Sequence, residues 1–246
     1  MKVNVENFKN ILRKATLNFS ISSVQLQLNQ LKISSRMISE NRDCIVILDV
    51  DNDVMAVSDE HEFNFSEPNQ QLMPFLNLID DDEADIDVHS EKIVVKNGRQ
   101  RSNIHFCSGQ IVSVFGTDAA REGIESFLTL DIDDGFNDAF AKIKKIGSRY
   151  GNVYFNVEDG VFSIETADKT NRFSNGLKFE LTRMSDVPDL SICFDYKNFI
   201  NLMAVINGDS ENFTLEFSYV EEQEMGMVYA GKNDGNEKYY LMSKEI

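Results

Sequence analysis

Four cations on one predicted helix are the residues of this chain best suited to a chemical task. The stretch AFAKIKKIGSR, residues 139–149, carries Lys142, Lys144, Lys145 and Arg149. At about 100° per helical residue, Lys142, Lys145 and Arg149 fall within about 60° of one another, opposite the apolar residues. Lys144 lies nearer the edge of the apolar stripe. Lysine and arginine on a helix flank make point contacts with phosphate groups, which bind nucleic acid without reading its sequence.

A second predicted helix, near the N-terminus, repeats this arrangement. In ENFKNILRK, residues 6–14, the apolar residues form one stripe, Lys9 and Arg13 lie together on one exposed side, and Lys14 lies on the other. For one helix taken alone, the alternative is that these lysines are the ordinary solvent-exposed residues of a surface helix. Their recurrence in an acidic chain favours phosphate binding. No aromatic residues alternate with these cations, so the backbone of a duplex fits better than single strands do.

Both helices belong to a pattern that recurs four times along the chain. The spacing Phe-x-x-(Ile/Leu) predicts four short amphipathic helices, at the pairs Phe8/Ile11, Phe75/Leu78, Phe140/Ile143 and Phe199/Leu202. About three alternating segments, typical of strands, follow each of them. The pattern therefore predicts an α+β fold built from four helix-plus-three-strand units, which group into two similar domains.

The least patterned stretch lies in the middle of the chain and predicts the domain boundary. We expect an N-terminal domain over residues 1–116, a connector over residues 117–127 and a C-terminal domain over residues 128–246. A single large domain is the alternative.

The composition is strongly acidic. Asp and Glu number 41 against 24 Lys and Arg, so the formal net charge is −17, and the chain as a whole repels nucleic acid. An acidic interaction protein, such as a mimic of DNA that occupies a nucleic-acid-binding partner, is therefore the alternative function from another class. It leaves the face formed by Lys142, Lys145 and Arg149 unexplained.

The N-terminal stretch and the cysteines bear on the compartment. MKVNVENFKNILRK lacks the apolar segment of a signal peptide, and no run approaches the roughly 18 apolar residues of a membrane span. We expect a soluble protein of the cytoplasm of a bacterium or phage-infected cell, or of a eukaryotic nucleus, with no membrane partner. Cys44, Cys107 and Cys193 lie far apart in apolar segments, which favours buried free thiols.

Two acidic segments suggest metal sites, and both are better explained as acidic turns. Residues 49–60 match the acidic spacing of a calcium loop, but Val54 stands where that loop needs glycine. Residues 79–87 suggest the carboxylates of a metal-dependent nuclease, but a consecutive run splays in all directions. The three histidines, His61, His89 and His105, show no metal-binding or catalytic spacing. We therefore expect no enzymatic activity and no cofactor.

The sequence resembles the two-domain DNA sliding clamps of the proliferating cell nuclear antigen type, a family that includes phage clamps, and the resemblance runs nearly end to end. It is clearest over residues 140–168, FAKIKKIGSRYGNVYFNVEDGVFSIETAD, which are similar to the third helix and following hairpin of that family. The ending EKYYLMSK is similar to the family's KYYLAPK, although LMS stands where the family tends to have LAP.

This resemblance implies a homotrimeric ring, with helices lining a hole that holds double-stranded DNA and with sheets on the outside. It also implies a processivity factor that tethers DNA polymerase and other replication and repair proteins through short peptide motifs. A separate ATP-driven clamp loader would open the ring. The clamp itself needs no chemistry.

The resemblance implies two sets of site residues. Those facing DNA are Lys9, Arg13, Lys14, Lys142, Lys145 and Arg149, together with Lys197, the one cation of the fourth helix. Those forming an apolar pocket for partner peptides are Met37, Ile38, Ile124, Phe127, Met227, Tyr240, Leu241 and Met242. Filling of the core is the alternative for many of this second set. The second helix carries no basic residue.

Overall fold

Two compact units make up the chain in the computed structural model, which describes residues 1–114, 124–171, 175–185, 187–220 and 224–244. Unit 1 comprises Met1–Thr117 and Asn236–Lys238, and unit 2 comprises Asp118–Gly235 and Tyr239–Ile246. No helix within the described ranges is long and apolar enough to cross a membrane.

Unit 1 contains two repeats with the element order β-α-β-β-β. The first consists of β1 (Lys2–Asn4), α1 (Val5–Ala15), β2 (Ser23–Leu28), β3 (Lys32–Ile38) and β4 (Cys44–Asp51). The second consists of β5 (His61–Ser66), the single helical turns α2 (Pro68–Gln71) and α3 (Met73–Leu76), β6 (Glu83–Val88), β7 (Lys92–Asn97) and β8 (Gln100–His105). A 3₁₀ turn follows at Gly109–Ile111. The antiparallel strands lie in the orders β1-β6-β7-β8 and β5-β2-β3-β4.

Unit 2 contains two further repeats of the same order. The first consists of β9 (Ser126–Asp131), α4 (Asp134–Gly147), β10 (Asn152–Glu158), β11 (Val161–Thr166) and β12 (Leu177–Arg183). The second consists of β13 (Leu190–Asp195), α5 (Tyr196–Ile206), a 3₁₀ segment (Asn207–Asn212), β14 (Phe213–Val220), β15 (Met225–Lys232) and β16 (Glu237–Met242). The strands lie in the orders β12-β11-β10-β13 and β16-β15-β14-β9.

The predicted α+β fold with a fourfold repeat is confirmed, and each repeat has one strand more than predicted. The strands that follow the helices overlap the alternating segments, although β8 ends at His105 and leaves Cys107 outside it. The added strands, β1, β5, β9 and β13, each precede a helix. β9 begins at Ser126 and so occupies the last two residues of the predicted connector. Residues 117–123 of that connector lie outside the described ranges.

The second predicted helix is wrong in its form and in its apolar face. The chain forms the separate turns α2 and α3, because Pro74 favours the first turn of a helix and cannot continue a preceding one. Leu72 and Leu76 are buried, whereas Phe75 and Leu78, the predicted core residues, are 37% and 64% exposed. The apolar pair of the predicted spacing therefore lies on the surface.

Aromatic rings form the centre of the core of unit 2. The ring of Phe155 on β10 has four neighbouring rings with centroids 4.7–6.0 Å away, those of Phe162, Phe194, Phe199 and Phe217. The ring of Phe199 on α5 also meets Phe140 on α4, edge to face, at 5.9 Å. Both helices are thereby packed on the same sheet.

The cysteines are free thiols. Cys44 and Cys193 are buried, as predicted, whereas Cys107 is partly exposed, because it follows the end of β8 rather than lying within a strand. Burial raises the pKa of the Cys193 thiol, so the uncharged form dominates at neutral pH.

Candidate nucleic-acid interface

Helix α4 presents the cations predicted to contact phosphate. Asp133 caps the helix, since its carboxylate accepts a hydrogen bond of 2.7 Å from the amide of Phe136. One apolar stripe, from Phe136 to Gly147, is buried. The exposed residues of the segment include all of its cations, Lys142, Lys144, Lys145 and Arg149.

These four cations differ in how far their charge is already compensated. The Lys142 ammonium pairs with the Asp138 carboxylate one helical turn earlier and lies 5.3 Å from the centre of the Phe179 ring. Among the described residues, no carboxylate lies within salt-bridge distance of Lys144, Lys145 or Arg149. An exposed pair contributes only about 0–1 kcal/mol, so phosphate can compete for Lys142. The uncompensated charge of this segment nevertheless lies on the other three residues.

The first turn of α5 lies against the last turn of α4. The Tyr196 hydroxyl donates a hydrogen bond of 2.8 Å to the carbonyl of Lys144. A Cβ atom at position 147 would come within 2.4 Å of the Tyr196 ring carbon Cε2, so only glycine fits there. Lys197 follows Tyr196 and is exposed. We call the four cations on these adjoining segments, Lys144, Lys145, Arg149 and Lys197, the basic junction.

Helix electrostatics account for only part of the basic junction. Lys144 and Lys145 lie in the last turn of α4, where the partial negative charge of the free carbonyls stabilises a cation by about 0.3–1 kcal/mol. Lys197 lies in the first turn of α5, where the partial charge is positive and a cation is unfavourable. A lysine at that position does not stabilise its helix, which favours a role in binding an anion.

Asp195 fixes the beginning of α5. Its carboxylate accepts hydrogen bonds from the amides of Lys197 and Asn198, at 2.9 and 3.2 Å. It also forms an ion pair of 2.8 Å with the Lys244 ammonium. Burial, the largest influence, raises the pKa of Asp195, but the bonds from Lys244 and the two amides outweigh it and hold the pKa below its usual range. The carboxylate is therefore charged at neutral pH and keeps the first turn, with Lys197, in place.

The cations of α1 differ from those of α4, because an acidic residue shares their side of the helix. Glu6 lies 3.3 Å from the Lys9 ammonium and 3.5 Å from the Arg13 guanidinium. The Lys9 side chain is only 12% exposed, although the sequence predicted an exposed side. The spacing of three and seven residues already places Glu6 on the same side. The sequence alone therefore contains the signal that Glu6 compensates these two cations.

Lys14 has a structural partner within unit 1. Its ammonium lies 2.6 Å from the carboxylate of Glu237, which is 2% exposed, and the Lys14 side chain is itself only 18% exposed. A buried carboxylate without a cation is costly, so Lys14 compensates Glu237 in preference to a phosphate. The two residues are 223 positions apart, and no local pattern in the sequence indicates that they meet.

We expect Lys14→Ala to lower the free energy of unfolding by about 3 kcal/mol, because the buried Glu237 side chain would lose its 2.6 Å ion pair with Lys14. Urea denaturation at neutral pH measures the change. Lys197→Ala is the matched control, since it removes an exposed lysine, and it should stay within about 0.5 kcal/mol of the unchanged protein. Equal midpoints for the two variants would contradict a structural role for Lys14.

The eight residues predicted to form a partner-peptide pocket fall into two groups. Four are at most 3% exposed: Met37, Met227, Tyr240 and Leu241. The other four are partly exposed: Ile38, Ile124, Phe127 and Met242. The burial of the first group favours the alternative that these side chains fill the core. The second group retains surface that a partner can contact.

Comparison with known proteins finds similarity in structure alone. No family model and no curated protein sequence matches the chain. The DNA polymerase III subunit beta of Pseudomonas aeruginosa aligns over 100% of this chain and 66% of its own, with a TM-score of 0.68 and 14% identity. PCNA of Thermococcus kodakaraensis aligns over 99% of both chains, with a TM-score of 0.62 and 11% identity. PCNA of A. fulgidus, solved with the C-terminal region of FEN-1, aligns over 100% of this chain and 97% of its own, with a TM-score of 0.64 and 14% identity.

The lengths of these proteins differ in how well they match the length of this chain. This chain spans about two thirds of the Pseudomonas subunit and almost the whole of the two PCNA chains. The shared feature is the path of the backbone through all four repeats, since few residues are identical. The chain has the fold of the DNA sliding clamps.

Proposed function

We propose that this protein is a DNA sliding clamp, a ring that encircles duplex DNA and tethers DNA polymerase and other replication and repair proteins. The observation that carries the proposal is the alignment with Thermococcus kodakaraensis PCNA over 99% of both chains. Because the clamp acts as a tether, it needs no catalytic group and no cofactor. The FEN-1 segment bound to A. fulgidus PCNA supports a role in binding partners through short segments.

The basic junction supports contact with DNA through its phosphates. Its four cations are exposed on adjoining segments of a chain of net charge −17, so together they form a local attraction for phosphate within an acidic protein. Point contacts from lysine and arginine read no sequence and exchange readily between phosphates. Such contacts suit a protein that moves along DNA, and topological linkage rather than affinity keeps the ring in place.

Two strand edges support a head-to-tail ring of identical subunits. Within the described residues, β8 pairs only with β7, and β12 pairs only with β11. An unpaired edge presents free amide and carbonyl groups, and a head-to-tail interface needs two different surfaces on each subunit. We propose that β8 of one subunit pairs with β12 of the next, and that the interface also covers Phe75 and Leu78. The match to the full length of PCNA favours three subunits.

Loading and location follow from this role. An encircling ring must open to admit DNA, so we propose that an ATP-driven clamp loader acts on it. The protein then works where DNA is replicated, in the cytoplasm of a bacterium or phage-infected cell or in a eukaryotic nucleus.

The proposal can be tested without a clamp loader by comparing how long the protein stays bound to circular and to linear duplex DNA. The protein is diluted until subunits separate, mixed with nicked circular duplex, concentrated so that rings close, and passed through a sizing column in high salt. We expect it to elute with the circle and to be released when a restriction enzyme linearises the DNA. Absence from the circle after the trimer has formed, or equal retention on linear DNA, would refute the proposal. An acidic mimic of DNA should bind neither form.

A further inference from the structure

The two carboxylate oxygens of Asp195 have separate partners. Oδ1 accepts the hydrogen bonds from the amides of Lys197 and Asn198, at the beginning of α5. Oδ2 forms the ion pair of 2.8 Å with the Lys244 ammonium. One oxygen therefore serves the helix that carries Lys197, and the other binds a lysine of a different segment, which follows β16.

The segment after β16, Ser243 and Lys244, is fixed by strands on both of its sides. The Ser243 amide donates a hydrogen bond of 2.8 Å to the carbonyl of Gly226 on β15, and the Ser243 hydroxyl accepts one of 2.8 Å from the Gly226 amide. The Lys244 amide donates one of 2.7 Å to the carbonyl of Cys193 on β13. We call Ser243 and Lys244 the tail bridge. Its hydrogen bonds place Lys244 beside the beginning of α5.

The Lys244 ammonium has a second partner, which holds it in place beside Asp195. It donates a hydrogen bond of 3.2 Å to Oδ1 of Asn152, the first residue of β10. The side chains of Lys244 and Asp195 are 42% and 33% exposed, so water screens their attraction only in part. A cation with partners on two strands is part of a network, and such networks hold their geometry better than isolated surface pairs do.

Without Lys244, the charge of Asp195 would oppose the basic junction. Asp195 directly precedes the first turn of α5, which carries Lys197 and which contacts the last turn of α4 through Tyr196. A negative charge at this point repels an approaching phosphate and attracts the ammonium groups that would bind it. Lys244 compensates that charge. Because Lys244 is itself paired, it adds no free cation to the four of the junction.

We propose that Lys244 is a positioning residue for DNA contact, which compensates Asp195 and thereby keeps the basic junction free to bind phosphate. Lys244 makes no phosphate contact of its own. The affinity of α4 and α5 for a duplex therefore depends on the tail bridge, a segment outside both helices. This inference rests on the proposed function, in which the basic junction contacts DNA.

A double-mutant cycle on a short labelled linear duplex tests the inference. Lys244→Met removes the cation and keeps a long side chain, and Asp195→Asn removes the negative charge while its oxygen can still accept the amide bonds of α5. We expect Lys244→Met alone to weaken binding about fivefold, the low end of the range for coupled sites. In the Asp195→Asn background the loss should stay below about twofold, because no acid then needs compensation. Lys244→Arg, which keeps the charge, should restore the affinity of the unchanged protein.

The control for net charge is Lys2→Met in unit 1. Lys2 also pairs with a carboxylate, that of Glu83 at 2.9 Å. Its loss takes the net charge from −17 to −18, as the loss of Lys244 does. This variant should lose less than about twofold in affinity for the duplex. A loss as large as that of Lys244→Met would overturn the inference, because net charge alone would then explain both.

The outcomes of the cycle separate this inference from the proposed function. Equal losses with and without the Asp195 charge would overturn the inference, since Lys244 would then act on DNA independently of Asp195. Unchanged affinity of Lys244→Met would overturn it as well. Retention on nicked circular DNA depends on the closed ring, so Lys244→Met should be retained like the unchanged protein. If retention holds while the cycle fails, only the role of Lys244 falls. If the unchanged protein is not retained, the clamp proposal falls whatever the cycle gives.

Discussion

Replacement of all four residues of the basic junction with alanine is expected to lower the affinity for a short linear duplex about 100-fold at about 0.1 M salt. Each phosphate contact releases close to one counterion, so the loss of four cations should also make the slope of log affinity against log salt shallower by about 3.6. Titration of a labelled duplex at several salt concentrations measures both quantities. The unfolding midpoint should change little, since Lys144, Lys145, Arg149 and Lys197 are exposed.

The change in overall charge needs its own control. The variant takes the net charge from −17 to −21, which by itself repels DNA more strongly. Alanine at four exposed cations of unit 1, Lys2, Lys32, Arg42 and Arg99, gives the same net charge. We expect this control to lose less than about fivefold in affinity and to keep its salt slope. Equal losses of affinity in the two variants would mean that the affinity for DNA depends only on the net charge of the protein.

Replacement of Phe75 and Leu78 with aspartate is expected to convert the proposed trimer to a monomer. Each apolar side chain buried at an interface contributes about 1.5–3 kcal/mol, so the double variant should weaken each contact more than 100-fold. Light scattering should show a fall from about 84 kDa, three times the chain mass, to 28.0 kDa. Because both side chains are already 37% and 64% exposed in the single chain, its folding should be unaffected.

The control for this experiment is Leu31→Asp. Leu31 is 77% exposed, and the proposed interface does not include it, so this variant should remain a trimer. A double variant that keeps the mass of the trimer would show that Phe75 and Leu78 lie outside the subunit contact. An unchanged protein that stays monomeric at high concentration would contradict the ring itself.

Periodicity in the sequence predicts most of the fold, and the elements that it misses are missed for physical reasons. The helices α1, α4 and α5 and the strands after each helix follow from spacing, because one face of each element is buried. β1 has only three residues, too few for an alternating pattern, and β9 was assigned partly to the connector. At the second helix, the repeated Phe-x-x-Leu spacing predicts one continuous helix with Phe75 buried. Pro74 instead separates the segment into two turns, and Phe75 is exposed.

The candidate site was predictable where neighbours in sequence determine it. The exposure of Lys145 and Arg149 follows from the apolar stripe of α4, and Glu6 beside Lys9 was readable from the same helical geometry. Contacts between distant segments were not readable. Glu237 beside Lys14, and Tyr196 against Gly147, depend on chain packing that no local pattern contains.

In the proposed clamp, the contact between Tyr196 and Gly147 bears on how the protein would move along DNA. It joins the backbones of α4 and α5 firmly, while the charged ends of the exposed lysines above it stay free to rotate. Exposed side chains change rotamer within picoseconds to nanoseconds, far faster than the microseconds to milliseconds over which packed helices shift. Each ammonium can therefore release one phosphate and reach the next without any shift of the helices. In the proposed ring, rigidly joined helices that carry mobile cations would let the duplex slide with little resistance.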